Sequence, residues 1–168
     1  DGSTATIIGR QPGEFKADRN NIPRVWMDHG AWPLLTVRLY LDQTGDFGFL
    51  LRPQRYFKDH VSHRCQQVDA AWQPQQGTML RTAAGDPYQG TVLEHLLVQH
   101  LTAFYNVGDA ANTILLEGAD WNDGLDMAHH RGESVAFTAL YAGNLQQLAE
   151  LVLALAQQGV PQVELAAE

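Results

Sequence analysis

The sequence predicts an all-α chain. Three observations carry that expectation: apolar residues recur at helical spacing in several separate segments, capping and stop signals bracket those segments, and the strict alternation of a half-buried strand is nearly absent. With 168 residues, 45% hydrophobic and 18% charged, the chain is long enough for one domain with a real core and too short for two comfortable ones.

Residues 1–31 are rich in Gly, Asp, Asn and Pro without a sustained period, so they read as a loop-rich lead-in with one short strand at Ala5–Ile8. Pro33 stands where a helix can begin, because the first turn tolerates a missing N–H. Leu34, Val37 and Leu41 recur at helical spacing, Leu35 and Leu39 widen the stripe, and Gly45 supplies a left-handed stop. Asp46 then reads as the cap of a short helix carrying Phe47, Phe49 and Leu50. A further amphipathic helix is expected over Tyr56–Ala70, followed by a polar loop, AWQPQQGTMLRTAAGDPYQG, whose Pro, Gly and Asp mark turns. Thr91-Val-Leu-Glu94 has the form of a capping box, and Leu93, Leu96, Leu97, Leu101 and Phe104 give the helix behind it one apolar face. The last helix is expected over about Glu133–Gln158, ending at Gly159 with Pro161 just beyond. Residues 33–158 thus form a helical array with connecting loops, as in αα-hairpins, and neither a short repeat nor a low-complexity segment interrupts it.

The formal charge of −8 and the scattered Lys and Arg residues argue against nucleic acid, which needs a concentrated basic surface. Cys65 is the only cysteine, so no internal disulfide is available and a reducing, cytoplasmic setting is expected. No stretch reaches the roughly 20 apolar residues a membrane span needs; Ser134–Ala156 is interrupted by Asn144, Gln146, Gln147 and Glu150. The first residues show no signal peptide, although the chain begins without Met and reads like the middle of something, which leaves an address ahead of it open.

His60-x-x-His63-x-Cys65 offers three ligand types but no second cluster, and the adjacent His129 and His130 diverge, so all read as solvated or core-edge residues and no metal is expected. No Gly-x-Ser-x-Gly elbow and no phosphate-cradling glycine loop occurs. Glu94 is accounted for by capping.

The loop GADWNDGLD, residues 118–126, stands apart, with three carboxylates, an indole and two glycines in nine residues. Such a stretch serves as a solvated turn, or as a site that holds a sugar on an aromatic face while a carboxyl group protonates it. A glycosidic oxygen leaves poorly unless protonated, and the acid must keep its proton near neutrality, which burial and acidic neighbours achieve. Trp121 can stack on a pyranose and partly desolvate an acid, while Asp120 and Asp123 can push each other's pKa apart. The alternate ligands and terminal Glu of a calcium loop are missing.

GADWNDGLD with Arg131-Gly-Glu-Ser-Val135 resembles the catalytic segment of glycoside hydrolase family 94, the inverting phosphorylases of β-linked glucans and related disaccharides. RNNIPRVWMDHGAWPLLTVRLYLDQTGDFGFL is similar to the family's segment with an Asp-His pair, a Trp and a Thr-Gly-Asp helix end, so the resemblance spans roughly residues 19–140. It implies an (α/α)6 barrel, of which so short a chain would supply four or five helices; the expectation is therefore a fragment of a single catalytic domain, needing the remainder of its polypeptide and inactive alone. The resemblance makes Asp123 the general acid and Trp121 part of the subsite for the sugar under attack. It makes Asp28 the carboxylate that holds hydroxyls of that sugar, with Arg24 as a neighbour, although the spacing at Arg24 departs from the family pattern. Asp120 is expected to orient the loop or touch sugar.

An inverting hydrolase needs a second carboxylate to activate water, whereas inorganic phosphate is itself an anionic nucleophile and only has to be held by donors. The implied activity is phosphorolysis of β-linked gluco-oligosaccharides to an α-sugar 1-phosphate, with phosphate as co-substrate and no cofactor. The alternatives are an inverting hydrolase on the same barrel and a non-catalytic segment that only binds oligosaccharide or is purely structural. The family's phosphate contacts lie later in the chain, and its members often pair subunits, which makes a homodimer a partner to test for.

Overall fold

The computed structural model describes residues 7–8, 15–16, 27–58, 61–62, 67–68, 70–116, 128 and 130–165. Among them are three α-helices, α1 (Ala31–Thr44), α2 (Val92–Thr102) and α3 (Val135–Gln157), and eight short strands. The strands form four two-stranded antiparallel pairings: β1 (Ile7–Ile8) with β2 (Phe15–Lys16), β3 (Pro53–Arg55) with β6 (Gln89–Thr91), β4 (Val61–Ser62) with β5 (Gln67–Val68), and β7 (Ile114–Leu115) with β8 (Glu133–Ser134). This is a small mixed α/β arrangement, which overturns the expected all-α architecture and with it the (α/α)6 barrel segment.

The correction lies mainly between α1 and α2. The helix expected over Tyr56–Ala70 is contradicted by the described residues of that range, where β4 and β5 pair Val61 with Val68 and Ser62 with Gln67. The physical reason is non-local: the hydrogen bonds of the described residues go between separate runs and not within one, and Gly85, at φ 90°, lets the chain turn back between Arg81 and Pro87. Residues 53–55 pair with 89–91, Lys58 N–H donates to the Thr78 carbonyl, Leu80 N–H to Tyr56, and Tyr88 N–H to Leu80. The stretch read as one polar loop is therefore the middle of a small antiparallel meander.

The helical readings fared better. α1 starts two residues before Pro33 and stops at Gly45, whose φ of 68° and N–H bond to the Leu41 carbonyl make the left-handed stop the sequence predicted. Asp46 does precede a short 3₁₀ helix, Phe47–Leu51, but its side chain caps nothing; it accepts from Tyr40 Oη and Arg52 Nη2, both at 2.8 Å. Thr91 Oγ1 accepts from Glu94 N–H at 3.1 Å and caps α2, whereas the Glu94 carboxylate does not return the bond. Ser134 Oγ likewise accepts from Phe137 N–H and caps α3.

Leu34, Leu41, Leu50, Val92, Leu93, Leu96, Leu148, Leu151 and Leu155 form the main core, where the three helices meet. Each leucine so buried contributes about 1.5–3 kcal/mol relative to exposure. Leu39 and Leu101, assigned to the apolar faces on spacing alone, instead face solvent. On α3 the buried positions are Tyr141, Asn144, Leu148, Leu151 and Leu155, a stripe spaced by threes and fours that runs through a polar residue. Asn144 belongs there because its Nδ2 donates to His100 Nε2 at 3.0 Å, in the interior between α2 and α3. No helix among the described residues is long and apolar enough to cross a membrane.

Candidate functional site

A second apolar cluster positions the candidate site. Met27, Ala31, Ala103, Ile114, Leu116 and Tyr141 are buried together, with Phe104 and Phe137 against them. Met27 belongs to the turn before α1, Ile114 to β7, and Leu116 follows directly after that strand. Tyr141 Oη on α3 donates to the Met27 carbonyl, tying the turn to the helix. A side chain at Gly30 would place Cβ 2.8 Å from that hydroxyl, so glycine is what lets the tyrosine reach the turn.

A short hairpin, β7 with β8, lies on either side of residues 117–127 in sequence. Ile114 pairs with Ser134 and Leu115 with Glu133, and Leu116 N–H then donates to the Gly132 carbonyl at 2.8 Å. Thr138 Oγ1 on α3 accepts from Ile114 N–H at 2.9 Å and donates to the Ser134 carbonyl, which fixes the hairpin to the helix start. Glu133 is held in turn by Thr113, whose hydroxyl donates to Oε2 at 2.6 Å, in space left by Gly108. Ile114 and Leu116, on the first strand of this hairpin and just beyond it, are buried with Met27, and the second strand is tied to them by backbone hydrogen bonds.

Of the residues predicted to act on a sugar, Asp28 is described. Its carbonyl accepts from Ala31 N–H at 2.9 Å and so opens α1, while its carboxylate Oδ2 accepts from Trp32 Nε1–H at 2.9 Å. Next to it, burial pushes the His29 imidazole below its ordinary pKa, against an upward pull from the Asp28 charge. Asp123, Trp121, Asp120 and Arg24 lie outside the described residues, as do His60, His63, Cys65 and His129. What the described geometry brings together is the Asp28 turn and the base of the loop that bears Asp120, Trp121 and Asp123.

Sequence reasoning missed two arrangements. Trp32 was read only as part of a motif, though its spacing of four from Asp28 is the spacing at which side chains meet along a helix. Glu94 was assigned to capping, yet its Oε1 accepts from Tyr56 Oη at 2.7 Å and from Tyr88 Oη at 3.2 Å, and it is only 5% exposed. Tyr56 also stacks on His95 with ring centroids 3.8 Å apart. Desolvation, and then the Glu94 bond, push the Tyr56 phenol well above its ordinary pKa, while burial lowers that of His95. A Cβ on Gly90 would fall 2.2 Å from Glu94 Oε1, so glycine makes room for the carboxylate. This group clamps the meander onto α2. Among the described residues, no set of three or more His, Cys, Asp and Glu side chains is placed to hold a metal ion.

No family model matches the chain, and no curated protein matches it.

Proposed function

We propose that this protein performs phosphorolysis of β-linked gluco-oligosaccharides with inversion, as a glycosyltransferase of the glycoside phosphorylase type. The observation that supports the reading is the shared cluster: the turn presenting Asp28 and the hairpin carrying residues 118–126 are packed on the same buried side chains, Met27, Ile114, Leu116 and Tyr141. Asp28 directly follows Met27 in sequence, and residues 118–126 follow Leu116, so the described neighbours of both segments share one cluster. The resemblance of both segments to family 94 supplies the roles.

In this mechanism a phosphate oxygen attacks the anomeric carbon from the face opposite the glycosidic bond. That bond breaks as the Asp123 carboxyl gives its proton to the departing oxygen, leaving an α-sugar 1-phosphate, a shortened acceptor and an Asp123 carboxylate that regains its proton from solvent. Asp28 accepts hydroxyls of the sugar under attack, Trp121 lines its subsite, Asp120 orients the loop and Arg24 neighbours Asp28. A cytoplasmic setting belongs to the same proposal, supported by the lone Cys65.

The test is a screen of β-glucobioses with and without inorganic phosphate on the full-length polypeptide, because the resemblance assigns the phosphate contacts to residues outside these 168. Phosphate-dependent release of α-glucose 1-phosphate is expected, and Asp123→Asn should lower it by about 10²–10⁴-fold, the usual contribution of a general acid, with an unchanged urea midpoint. Sugar release without phosphate would point to hydrolysis, and near-normal activity in Asp123→Asn would remove the assignment.

A further inference from the structure

Trp32 is the second residue of α1 and is 56% exposed. An exposed tryptophan that serves only packing lays its ring against neighbours; this one leaves most of its surface in water yet has its orientation fixed. The indole N–H is spent on Asp28 Oδ2 at 2.9 Å, and the Asp28 carbonyl accepts both Ala31 N–H, at 2.9 Å, and Trp32 N–H, at 3.3 Å. Backbone and side chain of the same aspartate therefore hold both ends of the tryptophan. The turn behind them is itself fixed by Tyr141 Oη on the Met27 carbonyl. The result is a flat apolar surface, oriented before any ligand arrives and edged by a carboxylate.

We propose that Trp32 and Asp28 form a stacking platform for a neutral pyranose unit, the ring lying on the indole face while its hydroxyls donate to the carboxylate. The chemistry selects that ligand on two grounds. A pyranose has an axial C–H face that matches an indole and a rim of hydroxyl donors that matches a carboxylate, which can accept several donors at once. A phosphorylated or acidic sugar is disfavoured, because the Asp28 charge repels it and the overall charge is −8. His29, the adjacent side chain, is held toward its neutral form by burial and supplies little compensating positive charge. That a sugar is bound beside Asp28 rests on the function proposed above; the stacking role of Trp32 rests on its exposure and its fixed indole N–H.

The experiment follows the Trp32 indole N–H by NMR in protein labelled with ¹⁵N at tryptophan, with resonances assigned through Trp32→Phe. Cellobiose and glucose 1-phosphate are titrated separately, without free phosphate. The expected result is a saturable shift of the Trp32 signal with cellobiose, a much weaker response to glucose 1-phosphate, and affinity reduced about tenfold in Trp32→Ala and less in Trp32→Phe, which keeps a ring. A Trp32 signal unmoved by cellobiose, or Trp32→Ala binding it as well as the parent, overturns the platform. Because binding is read without turnover, the two proposals separate. Binding through Trp32 with no sugar phosphate formed leaves the platform standing and removes phosphorolysis, whereas phosphorolysis with an unchanged KM in Trp32→Ala removes the platform alone.

Discussion

The buried pair of His100 and Asn144 allows a sharp test of what specifies the packing of α2 on α3. His100 is 0% and Asn144 2% exposed. His100 Nδ1 lies 2.7 Å from the Leu96 carbonyl, one turn back on its own helix. A carbonyl only accepts, so Nδ1 carries the proton and Nε2 presents a lone pair; the Asn144 amide must then turn its Nδ2 toward it, as found at 3.0 Å. One backbone oxygen therefore determines the tautomer, the amide orientation and the register of two helices.

Asn144→Ala removes the donor and leaves Nε2 a buried acceptor without one, which costs about 1–3 kcal/mol, with about 1 kcal/mol more for the space vacated. His100→Leu conversely strands the Asn144 amide, at a similar cost of about 1–3 kcal/mol. In the double variant neither polar group remains unmatched, so its destabilisation should fall short of the sum by about 1.5–3 kcal/mol. Urea unfolding of the four proteins measures this, provided the m-values agree. If the two single effects add to within about 0.5 kcal/mol, the bond has no specific worth and the argument is wrong.

Two further outcomes follow from the same interior. Burial lowers the pKa of His29, His95 and His100, so below about 6.5 the unfolded chain takes up protons that the native rings resist; stability should be fully present above that pH and fall as pH drops toward the native values, by up to about 1.4 kcal/mol per pH unit for each ring. A urea midpoint flat between pH 7 and 5 would contradict this assignment. Glu94→Ala should destabilise by about 3 kcal/mol through loss of the two tyrosine bonds, and ultraviolet titration should show the Tyr56 phenol ionising at lower pH than in the parent.

How legible the molecule was depends on where its information resides. α1, α2 and α3 were readable because their signals are short-range: Gly45 and Gly159 at stops, Thr91 at a start, leucines three and four apart. The meander over residues 53–91 was not, because Phe57 meets Met79 and Arg81 meets Pro87 through pairings that no local period announces. Val61 and Val68 suit a helix face or a pleat equally well until a partner strand is specified. Asn144 looked like an interruption in an apolar helix since its partner, His100, is 44 residues away. Glu94 shows the complementary error, in which a local explanation was available and the true partners, Tyr56 and Tyr88, came from the meander. At the candidate site the types of residue were legible, while the support of the Asp28 turn by Tyr141 depends on α3, more than a hundred residues later.

That support bears on how the site could be built. Tyr141 touches three parts of the molecule: its hydroxyl holds the Met27 carbonyl, its ring meets the edge of His100 at 5.3 Å between centroids, and it is buried with Ile114 and Leu116 at the entry to the carboxylate loop. A residue that acts on a sugar must hold its position to within about half an ångström, and loops achieve this only when rigid elements carry them. α3 is such an element, being the longest of the described helices and fixed to α2 by the His100–Asn144 bond. The polar pair in the core and the aromatic one turn before it therefore act in series. The first fixes how α3 sits on α2, and the second passes that position on to the turn of Asp28 and the base of the loop. The platform of Trp32 then inherits its orientation from the interior and not from the surface on which it lies.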